Sequence, residues 1–269
     1  GNGWTYNFDI KFPITTYLMA VTSSKFKEWS DTYSRITDGK QIDVKYYVWD
    51  KDFDENGGGR YNAKRAFSPM IDMMEYFSGI FGEYPFEKYG MVSLQPYRFG
   101  GMEHQTMTSL KRLFLDSSFT SDRVIAHELA HQWIGDKITC ATWNDIWINE
   151  GGATWSESLW LGHTGNINMY NSWMYMKRHY YLRRGGLKLP AIYGLTAEDL
   201  FSRPYAVVLV YDKSSWIYHM LSNLIGRDKF FEALRSMMDK YAYKSIESKD
   251  FINSLKEDIE DTPVPLDTF

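Results

Sequence analysis

The sequence predicts an α+β fold, with a small sheet in the first part of the chain and helices in the second. Residues 42–49 and 91–94 are rich in β-branched, aromatic and other apolar residues, as strands are. From about residue 120 onward, apolar side chains recur at helical spacing in successive segments. Strand-like stretches that come mainly before a run of helical segments are typical of the α+β class.

Length and composition limit the classes of protein to which the chain can belong. With 269 residues, 44% of them hydrophobic, it can bury one full core. The net charge of −4 indicates neither a nucleic-acid partner nor an anionic membrane. There is no apolar run of the roughly 18 residues that a spanning helix needs. The single Cys140 excludes an internal disulfide and leaves the compartment open between cytoplasmic and exported.

A domain boundary is predicted near residue 50. The segment 50–60 combines an acidic cluster with three consecutive glycines, which is typical of a loop. Before it, residues 1–50 contain only a few strand-like stretches, which make a poor independent unit. After it, apolar residues recur at helical spacing over 63–81. We therefore expect two parts, 1–50 and 51–269.

The central motif of the chain is a pair of histidines four residues apart. His127 and His131 would lie one above the other on a helix, so that both imidazoles can bind one metal ion. Glu128 lies next to that face and can act on a water molecule at the metal. Thr120–Asp122 offer N-cap oxygens, and Gly135 is suited to end the helix. The alternative is an ordinary helix that contains these residues by chance.

A catalytic zinc site usually has three protein ligands. Glu150, at the start of a helix-like run, is the candidate for the third. Glu157 lies two turns further along the same helix face, where it can hydrogen-bond a ligating histidine. A solvated surface glutamate is the alternative for Glu157.

Three motifs in this order resemble those of the gluzincin aminopeptidases, the family typified by aminopeptidase N. The first is the His-Glu-x-x-His motif followed by Glu150 in an Asn-Glu-Gly context. The family's Gly-x-Met-Glu-Asn motif is matched by Gly100-Gly101-Met102-Glu103-His104, and its Tyr-x-Lys-Gly element by Tyr211-Asp212-Lys213-Ser214. The chain is identified as a catalytic-domain fragment of such a protein.

The resemblance implies a thermolysin-like domain in which a small mixed sheet and a helical lobe flank a zinc cleft. Residues 1–50 would be the end of, or the junction to, an N-terminal β domain, and the chain would continue into a helical C-terminal domain. One Zn²⁺ per chain would be bound by His127, His131 and Glu150. The substrates would be peptides with a free N-terminus.

The resemblance also assigns roles to residues outside the metal ligands. Gly100, Gly101 and Met102 would bind the peptide backbone, and Glu103 would pair with the α-amino group. The alternative for Glu103 is an exposed turn glutamate. His104 departs from the family, which has asparagine there, and this puts the local substrate geometry in doubt; a role for it as a zinc ligand is less favoured.

Tyr211 is the candidate for stabilising the oxyanion, with Tyr205 as second choice. The implied function is hydrolysis of the N-terminal peptide bond, with Glu128 as general base on a zinc-bound water. Two alternatives stay open. One is an endopeptidase or epoxide hydrolase on the same site, and the other is a zinc-bearing peptide-recognition domain with little turnover in isolation.

Overall fold

The computed structural model describes residues 5, 7, 9–57, 60–116, 118–184, 186–259 and 265–266. Two of the three glycines in the predicted loop, Gly58 and Gly59, lie outside these residues, as do Tyr6 and Phe8 of the opening segment. Within the described ranges the strands are β1 (Lys27–Ser34), β2 (Gln41–Val48), β3 (Lys88–Leu94), β4 (Gly101–Met102), β5 (Thr108–Lys111), β6 (Ile138–Cys140) and β7 (Lys244–Ile246).

The helices occupy most of the second half of the chain. They are α1 (Ala63–Ala66), α2 (Met70–Phe81), α3 (Phe119–Ala130), α4 (Ile146–Thr164), α5 (Ile167–Arg183), α6 (Ala197–Ser202), α7 (Pro204–Val207), α8 (Ser214–Ile225), α9 (Arg227–Lys240) and α10 (Ser248–Asp258). A π-helical segment, Val208–Lys213, joins α7 to α8. The predicted α+β class, with a small mixed sheet and a helical lobe, is confirmed.

The main sheet has five strands in the order β1-β2-β3-β5-β4. The outer pairs β1–β2 and β4–β5 are antiparallel, and the inner pairs β2–β3 and β3–β5 are parallel. Alternate residues of β2 are buried (Ile42, Val44, Tyr46 and Val48), because only one face of the strand meets the core. In the strand order given above, β4 is the last strand and forms an edge of the sheet. A short parallel pair, β6–β7, lies apart from it.

Strands β1 and β2 precede the boundary predicted at residue 50, yet they belong to the same sheet as the strands that follow it. Val44 is paired with Tyr89 across the parallel β2–β3 ladder. The division into 1–50 and 51–269 stays a prediction, and this pairing favours placing any boundary before Lys27.

Two predicted helices are interrupted in the structure. The segment 63–81 forms α1 and α2, separated by a turn that ends at Pro69, the N-cap of α2. Pro204 and Gly226 predict a single helix over residues 206–224; in the structure this segment begins as α7, widens into the π-helical turn and continues as α8. Neither the apolar spacing of the first segment nor the end signals of the second registers a local change of backbone pitch.

Candidate metal centre and catalytic cleft

Helix α3, which contains His127, and its C-cap residue His131 place both histidines of the central motif on one buried side. The Nε2 atoms of His127 and His131 are 3.1 Å apart. The helix begins two to four residues earlier than predicted, with Ser118 as its N-cap accepting from the backbone N–H of Ser121. Gly135, which lies beyond the end of the helix, has φ +147°. A Cβ at this position would lie 2.9 Å from Nδ1 of His131, so glycine lets the chain turn tightly around that imidazole.

Glu150 reaches the histidine pair from α4. Its Oε2 lies 3.2 Å from Nε2 of His127 and 3.3 Å from Nε2 of His131. The two glycines that follow it allow α4 to approach its neighbours. A Cβ on Gly151 would lie 2.6 Å from the side chain of Ser214, and one on Gly152 would lie 2.8 Å from that of Ile134. The Glu-Gly-Gly sequence is therefore a packing requirement of the site.

The protons on the two imidazoles are assigned by their outer partners. Nδ1 of His131 lies 2.9 Å from the carbonyl oxygen of Ile134, which only accepts hydrogen bonds. Nδ1 of His127 lies 3.2 Å from Oε1 of Glu157. Each Nδ1 is therefore the donor, and each Nε2 turns a lone pair toward the other and toward Glu150.

Three lone-pair atoms at 3.1–3.3 Å repel one another unless a cation lies between them. Four-coordinate zinc with bonds of about 2.0–2.1 Å separates its ligand atoms by about 3.3 Å, which matches this triangle. Two imidazoles and a carboxylate are also a ligand set that zinc accepts. His127, His131 and Glu150 thus form a group that can hold a metal ion, and they fit zinc.

The electrostatics of the site favour positive charge between these residues. Burial alone would lower the pKa of His127, but hydrogen bonds to Glu150 and Glu157 raise it to about 9. Burial would likewise raise the pKa of Glu150, but His131 and His127 hold it well below its ordinary value. The carboxylates thus hold the histidines in an environment that stabilises a proton or a metal cation.

Glu128 lies between α3 and the edge strand β4. A Cβ on Gly101 would lie 2.2 Å from Oε1 of Glu128, so only glycine leaves room for the carboxylate. Burial raises the pKa of Glu128 to about 8, and Glu103 and Glu150 add to the shift while the two histidines oppose it. A carboxylate with a raised pKa is suited to accept a proton near neutral pH.

Glu103 is buried just beyond β4, with 5% of its surface exposed, so it is not an exposed turn glutamate. Burial raises its pKa, and Glu150 adds to the shift while His131 opposes it. His104 lies next to Glu103, but its Nδ1 is hydrogen-bonded to Oγ of Ser109 at 2.9 Å. His104 does not belong to the metal-capable group.

Gln132 ties the loop after β4 to the end of α3, and sequence reasoning missed it. Its Oε1 accepts from the N–H of Thr106, a residue at φ +65°, at 2.9 Å, and its Nε2 donates to the carbonyl of Glu103 at 3.5 Å. Gln132 is the residue after His131, but no spacing rule marks it, because its partners are 26 and 29 residues away.

Tyr211 reaches the site from the π-helical segment. Its ring stacks on that of His127, with 5.8 Å between centroids and 19° between planes. Burial and interaction with Glu150 raise the pKa of Tyr211 well above its ordinary value, so the phenol is kept as a donor. The second choice, Tyr205, lies elsewhere and donates to Oδ1 of Asp199 at 3.3 Å.

Glu157 faces His127 and is not a solvated glutamate. Besides the histidine, Glu157 contacts three further groups: its Oε2 is 3.4 Å from an Arg123 nitrogen, 3.1 Å from the indole N–H of Trp173 and 3.7 Å from Nζ of Lys177. Lys177, His127 and Arg123 oppose the effect of burial and lower the pKa of Glu157 to about 2. The sequence suggested Glu157 but none of its three cationic or indole partners, which come from α3 and α5.

Comparison with known proteins identifies the family of this chain. The model of the peptidase family M1 domain matches residues 65–268. The chain belongs to peptidase family M1. Aminopeptidase Ey of Gallus gallus is 28% identical over 99% of this chain, and aminopeptidase M1-A of Oryza sativa is 25% identical over 91%. The chain spans 28% of the length of each of these relatives.

Solved structures share the M1 fold of this chain. A mutant M1 zinc metallopeptidase from Deinococcus radiodurans superposes with a TM-score of 0.73 at 22% identity, covering 94% of this chain and 53% of that one. Legionella pneumophila aminopeptidase A, crystallised with aspartic acid, superposes with a TM-score of 0.76 at 19% identity, covering 93% of this chain and 28% of that one.

Among the described residues, no helix is long and apolar enough to cross a lipid bilayer.

Proposed function

We propose that this chain is the catalytic domain of a zinc aminopeptidase that removes the N-terminal residue of peptides. The observation that carries the proposal is the convergence of His127, His131 and Glu150, with the carboxylates of Glu128 and Glu103 buried beside them. The names of its M1 relatives support an aminopeptidase activity, and the Deinococcus metallopeptidase has been crystallised with a Tyr-Ser-Ala substrate.

His127, His131 and Glu150 would hold one zinc ion per chain. When bound, the zinc would polarise the scissile carbonyl and make a neighbouring water more acidic. Glu157 would keep His127 in the tautomer that turns Nε2 toward the ion, and the Ile134 carbonyl would do the same for His131.

Glu128 would act as the general base. Its carboxylate takes a proton from the attacking water and later gives it to the leaving amine. Tyr211 would donate its hydroxyl to the developing oxyanion, since burial beside Glu150 keeps the phenol protonated. Both residues lie against the metal-binding histidines, Glu128 next to His127 in the chain and Tyr211 stacked on its ring.

The edge strand would hold and orient the peptide. Gly101 and Met102 form β4 at the edge of the sheet, where an extended substrate can add as a further strand. Gly100 precedes this strand. Glu103, buried just beyond it, would pair with the free α-amino group and so restrict cleavage to the first peptide bond.

The test combines metal analysis with hydrolysis of amino-acid p-nitroanilides. We expect about one zinc per chain and release of p-nitroaniline from substrates with a free amine but not from their N-acetyl counterparts. Cleavage of acetylated substrates would instead indicate an endopeptidase. Zinc binding without turnover would indicate a recognition domain that needs the remaining parts of a longer protein.

The variant that tests Glu128 as the general base is Glu128→Gln. The amide keeps the size of the side chain but cannot take the proton, so we expect turnover to fall by about 10²–10⁴-fold with zinc content unchanged. Near-normal turnover in this variant would remove Glu128 from the mechanism.

A further inference from the structure

Lys177, on α5, bridges two carboxylates that border the proposed catalytic machinery. Its Nζ lies 3.7 Å from Oε2 of Glu157 and 3.5 Å from Oδ1 of Asp212. The three side chains are 12%, 10% and 14% exposed, respectively, so water screens these interactions only weakly. None of the three sequence motifs includes Lys177.

Each carboxylate is connected to a different part of the site. Glu157 accepts from Nδ1 of His127. Asp212 directly follows Tyr211 in the π-helical segment, which packs against α5. Lys177 therefore connects Glu157, which orients His127, with the π-helical segment that carries Tyr211, the proposed oxyanion donor.

The two carboxylates depend on Lys177 to different degrees. Glu157 has other donors, an Arg123 nitrogen at 3.4 Å and the Trp173 indole at 3.1 Å, which would hold it in place without the lysine. Asp212 forms its ion pair with Lys177, and Arg184 acts on it only through longer-range attraction. Without Lys177, the negative charge of Glu157 would repel Asp212.

The backbone around Asp212 is a π-helical turn, a rare geometry that is frequent at functional sites. Here the Oγ atoms of Ser214 and Ser215 donate to the carbonyls of Leu209 and Asp212, at 2.8 and 3.0 Å. A shift of Asp212 would therefore be transmitted to Tyr211, its neighbour in the same turn.

We propose that Lys177 is a positioning residue that holds the π-helical turn, and with it Tyr211, at a set distance from the metal-binding histidines. This inference rests on the function proposed above. It assigns to Lys177 an effect on turnover through Tyr211, and not on metal binding through Glu157.

The variants Lys177→Met and Lys177→Arg separate charge from packing. We expect Lys177→Met to lower kcat by about 10- to 100-fold with little change in KM or zinc content, since a displacement of about 1 Å can cost about 100-fold. Lys177→Arg keeps the positive charge between the two carboxylates and should retain most of the wild-type kcat. Arg178→Met, at an exposed neighbour on α5, is the control and should behave as wild type.

A double-mutant cycle with Tyr211→Phe identifies the route of the effect. If Lys177 acts through Tyr211, the double variant Lys177→Met/Tyr211→Phe should be no slower than Tyr211→Phe alone. The proposal would be overturned if the two substitutions lowered kcat independently, so that their effects multiply in the double variant. Wild-type kcat in Lys177→Met would also overturn it. Loss of zinc in Lys177→Met, as we expect for Glu157→Gln, would also overturn it, because the lysine would then act through the metal.

A readout that does not depend on activity separates this proposal from the proposed function. In a crystal structure of Lys177→Met, Asp212 and the Tyr211 ring should be displaced relative to wild type, with His127 and Glu157 unmoved. If wild-type protein hydrolyses none of the substrates, the proposed function fails, and this displacement alone decides the role of Lys177. An unmoved Tyr211 would refute it.

Discussion

Gly101 shows how one missing side chain shapes the catalytic cleft. A methyl group there would meet Oε1 of Glu128 at 2.2 Å and its Cδ at 2.4 Å. Because Glu128 is buried between α3 and β4, it cannot swing into solvent to make room without leaving its position beside the histidines. The glycine that a peptide backbone would approach is thus also the glycine that admits the proposed general base.

We predict that Gly101→Ala lowers kcat by about 100-fold or more while zinc content stays near wild type, since misplacement of a catalytic group by about 1 Å costs on that order. Gly100→Ala is the comparison, because its Cβ would lie 3.4 Å from the Phe114 ring, an ordinary contact. The decrease in kcat caused by Gly100→Ala should be at least about tenfold smaller than that caused by Gly101→Ala. Equal kinetics for the two variants would show that Glu128 tolerates the added methyl.

At the scale of the element, α3 is held at its N-terminus by a cap built on Asp116. The Oδ1 of Asp116 accepts from Oγ of Ser121 at 2.6 Å and from the N–H of Ser118 at 3.1 Å, and Arg60 pairs with Oδ2 at 3.0 Å. Burial would raise the pKa of Asp116, but these bonds lower it to about 2. The helix that contains His127 and ends at His131 thus gains stability from an ionised cap.

The stabilisation by Asp116 should depend on pH. Because its pKa is lowered on folding, its contribution is complete above about pH 4 and is lost as pH falls toward about 2. Asp116→Asn should therefore lower the unfolding free energy by about 1 kcal/mol at pH 6, and by clearly less at pH 3. Urea unfolding at both pH values measures this, with Asp43→Asn, an exposed site on β2, as control. A deficit that stays constant with pH would contradict the assignment.

On the scale of the whole molecule, the metal-capable group joins elements that are distant in the chain. Its residues come from α3, the C-cap of α3 and α4, and the side chains around it come from α3 (Glu128), the loop after β4 (Glu103) and the π-helical segment (Tyr211). A cation bound there would connect these elements in the folded state, whereas the unfolded chain does not bring them together. Metal binding should therefore stabilise the fold.

Removing zinc should lower the melting temperature. A ligand at about 100 times its Kd adds about 2.7 kcal/mol to stability. For a chain of this size that corresponds to roughly 5–10 °C in Tm. Scanning calorimetry with zinc and with a chelator tests this, and Glu128→Gln should show the same response because it leaves the ligands intact. Identical melting curves with and without zinc would argue against a bound metal.

The sequence alone predicted the α+β class and the three residues that the structure brings together as a metal-capable group. His127 and His131 are separated by one helical turn, so local geometry brings them together wherever the helix lies. Glu150, Glu103 and Tyr211 followed from motifs whose order resembles that of the gluzincin aminopeptidases. Periodicity likewise predicted strands near residues 42–49 and 91–94 and most of the helices.

Only the tertiary structure decided the features that depend on contacts between distant residues. The contact of Gly101 with Glu128, the support of Glu157 by Trp173 and Lys177, and the pairing of β2 with β3 each join residues at least 16 positions apart. Local propensity and spacing report on neighbours within a few residues, and only these long-range contacts set the distances between elements. The spacing of His127 and His131 is thus a local pattern that the sequence shows, while the alignment of these histidines with Glu150, with the proposed general base and with Tyr211 arises from packing.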